Sequence, residues 1–353
     1  MLRTLTFLLI ATTFLATPAL AQDLTKIAEK PTRSAIDEKP TGDDAIRLQI
    51  FLDEQRFGPG VIDGKPGDFT TMAVAAWNER FGYPVDSWKA VNKAARKAVR
   101  YVTATAIIPD IAKEWVNPTL PYDRAEQGKS KRLSYRSYLE FMAERYHCDE
   151  DFLRNINSQK NLNLLKTHDS ILVPNVTPFR IEAIPNSRYE ADDTMSNRHV
   201  VVDTRVKQCR IYEAAPVALI VAEPNSTTHK VATFKNRGLV ASFPITPGRL
   251  EFIELGSWEL RNMVTHPWWR YDQVFLDTGK RGPEEERINI PPGPNSPVGV
   301  IWNGTSKIGV GLHGTSDPET IGRARSSGCI RLTNWDAIRL PELIRPGATI
   351  EIR

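Results

Sequence analysis

The chain has 353 residues, more than one ordinary domain at roughly 150 residues each, and its 41% hydrophobic and 25% charged residues suit a globular protein with a packed core. Its 46 basic and 42 acidic residues leave a net charge of only +4. That is too diffuse for nucleic acid, which needs a concentrated basic stripe, though compatible with an anionic polymer. Met1-Leu2-Arg3 gives a positive start, Thr6 to Ala16 a short apolar run, and Ala19-Leu20-Ala21 a small-x-small site before Gln22. Residues 1–21 therefore read as a secretory signal peptide. A membrane anchor needs about 20 apolar residues; threonines and Pro18 break this run, and no later stretch is long enough for a transmembrane segment. The expected location is the periplasm or cell envelope. With no cysteine near the cleavage point, a lipoprotein is disfavoured. The chain has three cysteines, an odd number, and whether Cys148 and Cys209 pair stays open.

Residues 22–42 are polar and without apolar period, and read as a linker. In 43–100, Leu48 and Leu52 lead into Phe57-Gly58-Pro59-Gly60-Val61-Ile62-Asp63-Gly64, then Thr70, Ala73-Val74 and Trp77. A helix, a glycine-rich turn and a second helix starting near Asp68 or Thr70 would bury Leu48, Leu52, Val74 and Trp77 together. Leu-Gln-x-x-Leu, Gly-x-Ile-Asp-Gly and Thr-x-x-Ala-Val resemble a small helical peptidoglycan-binding-like module; the alternative is a helical hairpin that only supports the rest. Ser87 to Arg100 continues as a basic helix. Residues 101–132 form a connector that opens with a strand-like alternation, Tyr101 to Ile108. In 133–178, Tyr138-Leu139, Met142-Ala143, Tyr146, Phe152-Leu153 and Ile156-Asn157 keep helical spacing, and Ser170 to Asn175 closes the unit as a strand. Leu153, Ile156-Asn157 and the closing Ile171-x-Val173-Pro174-Asn175 resemble a divergent LysM domain, which would imply glycan binding. Residues 179–197 read as a second linker.

From 198 to 353, short apolar runs separated by polar turns (Val200–Asp203, Cys209–Tyr212, Ala218–Val221, Leu239–Phe243) predict a mostly β domain, so the whole is a multidomain α+β chain. Thr265 to Tyr271 reads as an aromatic loop, with Trp268 and Trp269 as candidate floor of a substrate cleft. His266 is treated as a loop residue, because no third and fourth metal ligand stands at recognisable spacing. Ile308-Gly309-Val310-Gly311-Leu312 alternates glycine with apolar residues, as a crowded strand does, and ends at His313-Gly314-Thr315. Asp317 to Gly322 reads as a turn with a short helical piece. Cys329 follows His313 by sixteen positions inside Ser326-Ser327-Gly328-Cys329-Ile330-Arg331-Leu332. A histidine ending a strand and a cysteine on a glycine-flanked loop suit a base-activated thiolate.

His-Gly-Thr followed by Ser-x-Gly-Cys-Ile-Arg-Leu resembles the signature of the L,D-transpeptidases with a YkuD-type catalytic domain, bacterial enzymes that remodel peptidoglycan. Ile290 to Gly299 resembles their proline- and glycine-rich segment, and Gly347 to Ile352 their closing strand. The family usually has histidine where this chain has Ser327. Of its usual Thr-Pro-x-Gly, only Glu254-Leu255-Gly256 is found. The resemblance implies a β-sandwich or barrel, Cys329 as nucleophile, His313 as base and the Gly314 carbonyl as the acceptor that fixes its tautomer. The N–H groups of Gly328 and Cys329 would form an oxyanion hole, with Ser326 and Ser327 lining the substrate. Arg331 either holds a substrate carboxylate or braces the loop. The implied reaction is acyl transfer from a tetrapeptide stem, releasing D-alanine, to an acceptor amine, without cofactor or metal and with carbapenems as expected inhibitors. The alternatives are water as acceptor, giving a carboxypeptidase, and a wall-binding protein with a degenerate catalytic domain.

Overall fold

Helix α1 (Gly42–Glu54) is the first element of the structure, a computed structural model that describes residues 35–213, 238–249, 252–323 and 328–353. The expected signal peptide (residues 1–21), the strand expected at Ala218–Val221, and both Ser326 and Ser327 lie outside the described residues. Helix α1 is buried on two sides. Leu48, Phe51 and Leu52 face one core while Ile46 and Ile50 face another. At roughly 1.5–3 kcal/mol for each large apolar side chain removed from water, this helix is a structural wall.

Its first neighbours are α2 (Asp68–Phe81) and α3 (Lys89–Ala98). Helix α2 stops where Gly82 takes a left-handed conformation, φ 75°, which glycine adopts without a Cβ penalty. Leu48, Leu52, Val74 and Trp77 share one core, as their spacing predicts. That core also takes in Val201, Tyr212 and Leu239 from the large sheet. Residues 35–42 are tied to α3, since Asn92 Nδ2 donates to the carbonyls of Ile36 and Glu38.

Next come β1 (Thr103–Ile107), α4 (Ala112–Trp115), α5 (Arg124–Gly128), α6 (Tyr138–Arg145), α7 (Glu150–Ile156) and β2 (Ser170–Pro174). Strands β1 and β2 pair antiparallel from Thr103↔Pro174 to Ile107↔Ser170. Ser137 and Asp149 cap α6 and α7 by accepting from the N–H groups of Glu140 and Phe152, each cap worth about 1 kcal/mol. Asn157, just past α7, donates to the Leu153 and Leu172 carbonyls and accepts from Leu172 N, joining helix to strand. This strand pair and the helices between its strands build the second core, which Ile46, Ile50, Val300 and Trp335 enter from outside it.

The remaining strands are β3 (Arg188–Tyr189), β4 (His199–Asp203), β5 (Gln208–Tyr212), β6 (Leu239–Pro244), β7 (Gly256–Thr265), β8 (Trp269–Tyr271), β9 (Ile288–Ile290), β10 (Ile301–Thr305), β11 (Gly311–His313), β12 (Ile330–Arg331) and β13 (Thr349–Ile352); helices α8 (Gln273–Thr278) and α9 (Asn334–Ala337) lie among them. Nine strands form one sheet in the order β12-β11-β10-β7-β13-β4-β5-β6, with β3 also on β7. The segment read as a second linker thus contributes a strand. Beyond β6, Thr246 pairs antiparallel with Arg331 of β12 through two backbone hydrogen bonds of 2.9 Å. The sheet therefore curls round to meet its own far edge, enclosing a core that includes Val200, Ile211, Phe243, Leu312 and Ile350. This is the mostly β architecture expected. The aromatic loop proves to be half strand, because β8 pairs with β9 from Trp269↔Ile290 to Tyr271↔Ile288. Cys148 and Cys209 are both buried free thiols in different cores, so they do not form a disulfide.

The described residues form one compact unit, and a buried charged cluster joins its parts. Arg339 Nη2 and Nη1 lie 2.8 and 3.1 Å from the two carboxylate oxygens of Asp53 at the end of α1. His147 Nδ1, between α6 and α7, is 2.9 Å from the same carboxylate, and Asp336 is 3.2 Å from Arg339. The His147 ring stacks on Trp335 at 5.2 Å. Burial pushes Asp53 up, yet Arg339 and His147 together hold it well below the usual carboxylate range. Burial and the nearby Asp53 charge raise Asp336. Removing the cation leaves buried Asp53 with His147 alone and buried Asp336 without its charged partner. Arg339→Met should cost about 3–5 kcal/mol, read as a drop in the urea midpoint; a loss below about 1 kcal/mol would reduce the cluster to a bystander.

Candidate active site

Side chains two residues apart on a strand share a face. In β10, β11 and β12 the pairs are Trp302↔His313, Gly304↔Gly311 and His313↔Arg331. Cys329 immediately precedes β12 and stands two residues before Arg331, so Trp302, His313, Arg331 and Cys329 come to one face. Between them, Leu312 and Ile330 turn to the other face and are fully buried.

The glycine alternation has a side-chain cause. A Cβ on Gly311 would stand 2.7 Å from Trp302 Cζ2, and one on Gly304 would stand 2.7 Å from Trp302 Nε1. The indole thus lies flat over two strand glycines and against His313, with ring centroids 5.6 Å apart and planes 19° apart. Of the two glycines in the alternation, Gly311 is crowded by this tryptophan, which sequence reasoning missed, and Gly309 by Phe275, whose Cζ would stand 2.8 Å from a Cβ there.

His313 is 3% exposed, and its Nδ1 lies 2.6 Å from the Gly314 carbonyl. A carbonyl oxygen can only accept, so Nδ1 carries the proton and Nε2 is left with its lone pair. Burial, assisted by the Arg331 charge, lowers the imidazole to about 4. His313 is therefore a neutral base throughout the physiological range. Cys329 is partly exposed, and its thiol donates to the Gly309 carbonyl at 3.2 Å. Burial pushes it up to about 11, against the opposing pull of the Gly311 N–H and of Arg331. A neutral thiol facing a neutral imidazole is a pair in which the proton moves as the sulfur attacks, with His313 as general base.

Gly328 has φ +131°, a conformation other residues rarely adopt. A Cβ on Gly248 would stand 2.4 Å from Gly328 Cα, so two glycine backbones touch just before the thiol. Thr246 Oγ1 accepts from Gly322 N at 2.8 Å, and Lys207 Nζ donates to the Gly322 carbonyl at 2.6 Å. Thr246-Pro247-Gly248 thus braces the segment before the nucleophile, while Glu254-Leu255-Gly256, the only trace of Thr-Pro-x-Gly found in the sequence, leads into β7, where Gly256 lies opposite Ile352. The signal was present as Thr-Pro-Gly, one residue shorter than the pattern sought.

The structure thus brings together Cys329, His313, Gly314, Gly328 and Arg331. Trp269 packs with Tyr271, Ile290, Leu120 and Leu133 in the β8–β9 hairpin, and Trp268 is 64% exposed; the tryptophan on the histidine is Trp302. His266 Nε2 lies 3.1 Å from the Ile184 carbonyl, and its ring tilts against Trp115. Among the described residues no three His, Cys, Asp or Glu side chains are grouped to hold a metal ion.

Comparison with known proteins follows this geometry. Residues 219–352 match the model of the YkuD L,D-transpeptidase catalytic domain. The chain is 40% identical over 65 residues to a putative L,D-transpeptidase YkuD of Bacillus licheniformis and 42% identical over 65 residues to that of Bacillus subtilis. Each match takes in 18% of this chain, and 39% and 40% of the respective relatives. Among solved structures, L,D-transpeptidase 3 from Mycobacterium tuberculosis is similar at 13% identity, covering 54% of this chain and 76% of that one, with a TM-score of 0.30, too low to speak to the fold. The matched stretch, residues 219–352, contains His313, Cys329 and Arg331, while α1 to α7 precede it.

Two outcomes follow from the site. Since only the thiolate is nucleophilic, alkylation of Cys329 by iodoacetamide should rise about tenfold per pH unit through pH 9 and level off only near 11. Cys209 is pushed to about 12 and Cys148 well upward by burial, so intact mass should show a single adduct on the folded protein. A plateau near pH 8 would contradict the buried thiol. Gly311→Ala should displace Trp302 and lower turnover by about tenfold or more, measured beside a thermal melt that separates misplacement from unfolding.

Proposed function

We propose that the chain is an exported peptidoglycan L,D-transpeptidase. Its substrate is a tetrapeptide stem, and its nucleophile is Cys329. The observation that carries this reading is the shared sheet face on which Cys329 and Arg331 meet a histidine whose Nδ1 is held by the Gly314 carbonyl. As Sγ attacks the carbonyl carbon of the diaminopimelate–D-alanine amide, His313 Nε2 takes the thiol proton. The N–H groups of Gly328 and Cys329 receive the developing oxyanion, at about 3 kcal/mol per donor. The imidazolium returns the proton to the departing D-alanine amine, leaving a thioester on Cys329. An acceptor amine of a neighbouring stem then attacks, loses its proton to His313 and releases the thiol, forming the cross-link. Arg331 supplies a fixed positive charge for a stem carboxylate. The chemistry requires no cofactor. Residues 43–100 and 133–178 are proposed as wall-binding modules, and the periplasm or cell envelope as the place of work.

Muropeptides incubated with the purified protein and resolved by mass spectrometry test this. Wild type should yield cross-linked dimers and free D-alanine, and folded Cys329→Ala should yield neither. Tripeptides without dimers would make water the acceptor; products from both proteins would remove Cys329 from the reaction. A carbapenem should add one drug mass to wild type, because a strained lactam carbonyl meets the same thiol and oxyanion donors, and none to Cys329→Ala. An adduct on both proteins, or on neither, would exclude Cys329 as the drug-reactive residue.

A further inference from the structure

The Gly314 carbonyl fixes the histidine tautomer, and the side chain packed against Gly314 is Asn334 of α9. A Cβ on Gly314 would stand 2.0 Å from Asn334 Oδ1, and one on Gly299 would stand 2.1 Å from the same atom. The amide is wedged between two backbones with no slack. Its Oδ1 accepts from Val300 N at 3.1 Å. Its Nδ2 donates to the Pro294 carbonyl at 3.3 Å and to Glu144 Oε1 at 2.8 Å. The other Glu144 oxygen is hydrogen-bonded to the Tyr135 hydroxyl. Glu144 and Tyr135 are 6% and 2% exposed, and Asn334 is fully buried.

Glu144 lies in α6, 190 positions from Asn334 and outside the matched region 219–352. A buried glutamate is costly unless its oxygens are partnered, and both partners here are specific. We infer that Glu144 is a positioning residue for His313: by fixing the Asn334 amide it sets the Gly299 and Gly314 backbones, and with them the carbonyl that holds the imidazole. Without the Glu144 oxygen, one N–H of the buried Asn334 amide loses its acceptor, and only the Pro294 carbonyl at 3.3 Å remains. The amide must turn or shift to find another partner, and Gly314 has no room to stay put. The imidazole then samples the tautomer with its proton on Nε2, in which it cannot accept the thiol proton. The helices that precede the matched domain would thus contribute directly to its catalytic competence.

This inference rests on His313 serving as the base for Cys329, so one arm of the test is independent of turnover. In the full-length protein, Glu144→Gln retains an oxygen for Asn334 and an amide for Tyr135, whereas Glu144→Leu retains only bulk. Glu144→Leu should lower kcat on stem peptides about ten- to a hundredfold with KM changed less than about twofold, and Glu144→Gln should keep at least about half of wild-type kcat. Nitrogen-15 spectra, with the His313 signal assigned by its loss in His313→Gln, should show the Nδ1–H tautomer alone in wild type and Glu144→Gln, and both tautomers in Glu144→Leu. If wild type turns over no stem peptide, the proposed function falls while the tautomer spectra still decide the role of Glu144. A folded Glu144→Leu with a wild-type tautomer overturns the inference, as does a Glu144→Gln as impaired as Glu144→Leu. Should Glu144→Leu not fold, Tyr135→Phe frees the second Glu144 oxygen. It should lower kcat a few-fold at unchanged KM and broaden the His313 tautomer signal, and wild-type values for both would overturn the inference.

Discussion

Two backbone hydrogen bonds between Thr246 and Arg331 hold the site together. The strand that follows the nucleophile is two residues long, too short to define its own position. One side is paired with β11 in parallel, Leu312↔Ile330 and His313↔Arg331; Thr246 takes the other. Fixing a residue's backbone costs roughly 1–2 kcal/mol, and here that cost is met by neighbours already fixed in a sheet. The same threonine hydroxyl receives Gly322 N–H, while Gly248 rests on Gly328. The thiol therefore stands at the join where a curled sheet meets itself, and its distance from the imidazole is a property of the whole sheet.

That placement also explains the protonation states. A join inside a packed sheet is poorly solvated, so the environment favours the neutral thiol and the neutral imidazole. Arg331 is the compensating charge. It favours a thiolate on Cys329 and disfavours an imidazolium on His313, so it stabilises negative charge at sulfur as attack begins while keeping the base unprotonated beforehand.

The legible parts of this protein were those written in neighbouring residues. His313, Gly314, Gly328, Cys329 and Arg331 stand within one short stretch, and the helix pair α1–α2 announced itself by its spacing and the glycine turn between. The parts that failed to show were long-range. Glycines 309 and 311 signalled crowding, but the crowding atoms belong to Phe275 in α8 and to Trp302 on another strand. Strand β7 went unread because its residues are mostly exposed or half-buried, without the clean alternation that marks a strand. Glu144 looks like any surface glutamate on a helix; only its burial against Asn334, 190 positions away, distinguishes it. The Arg180–Asn197 segment has a linker's composition, yet β3 finds a partner in β7.

Strand β13, residues 349–352, lies in the middle of the sheet between β7 and β4. A chain made from its amino end acquires β4, β5 and β7 long before the strand that joins them. Until residues 349–352 have emerged from the ribosome, β7 and β4 present unpaired edges to each other. The interval is an opportunity for a chaperone, because both edges stay unpaired until β13 is made. A deletion of only those four residues would unzip the centre of the sheet rather than trim a tail.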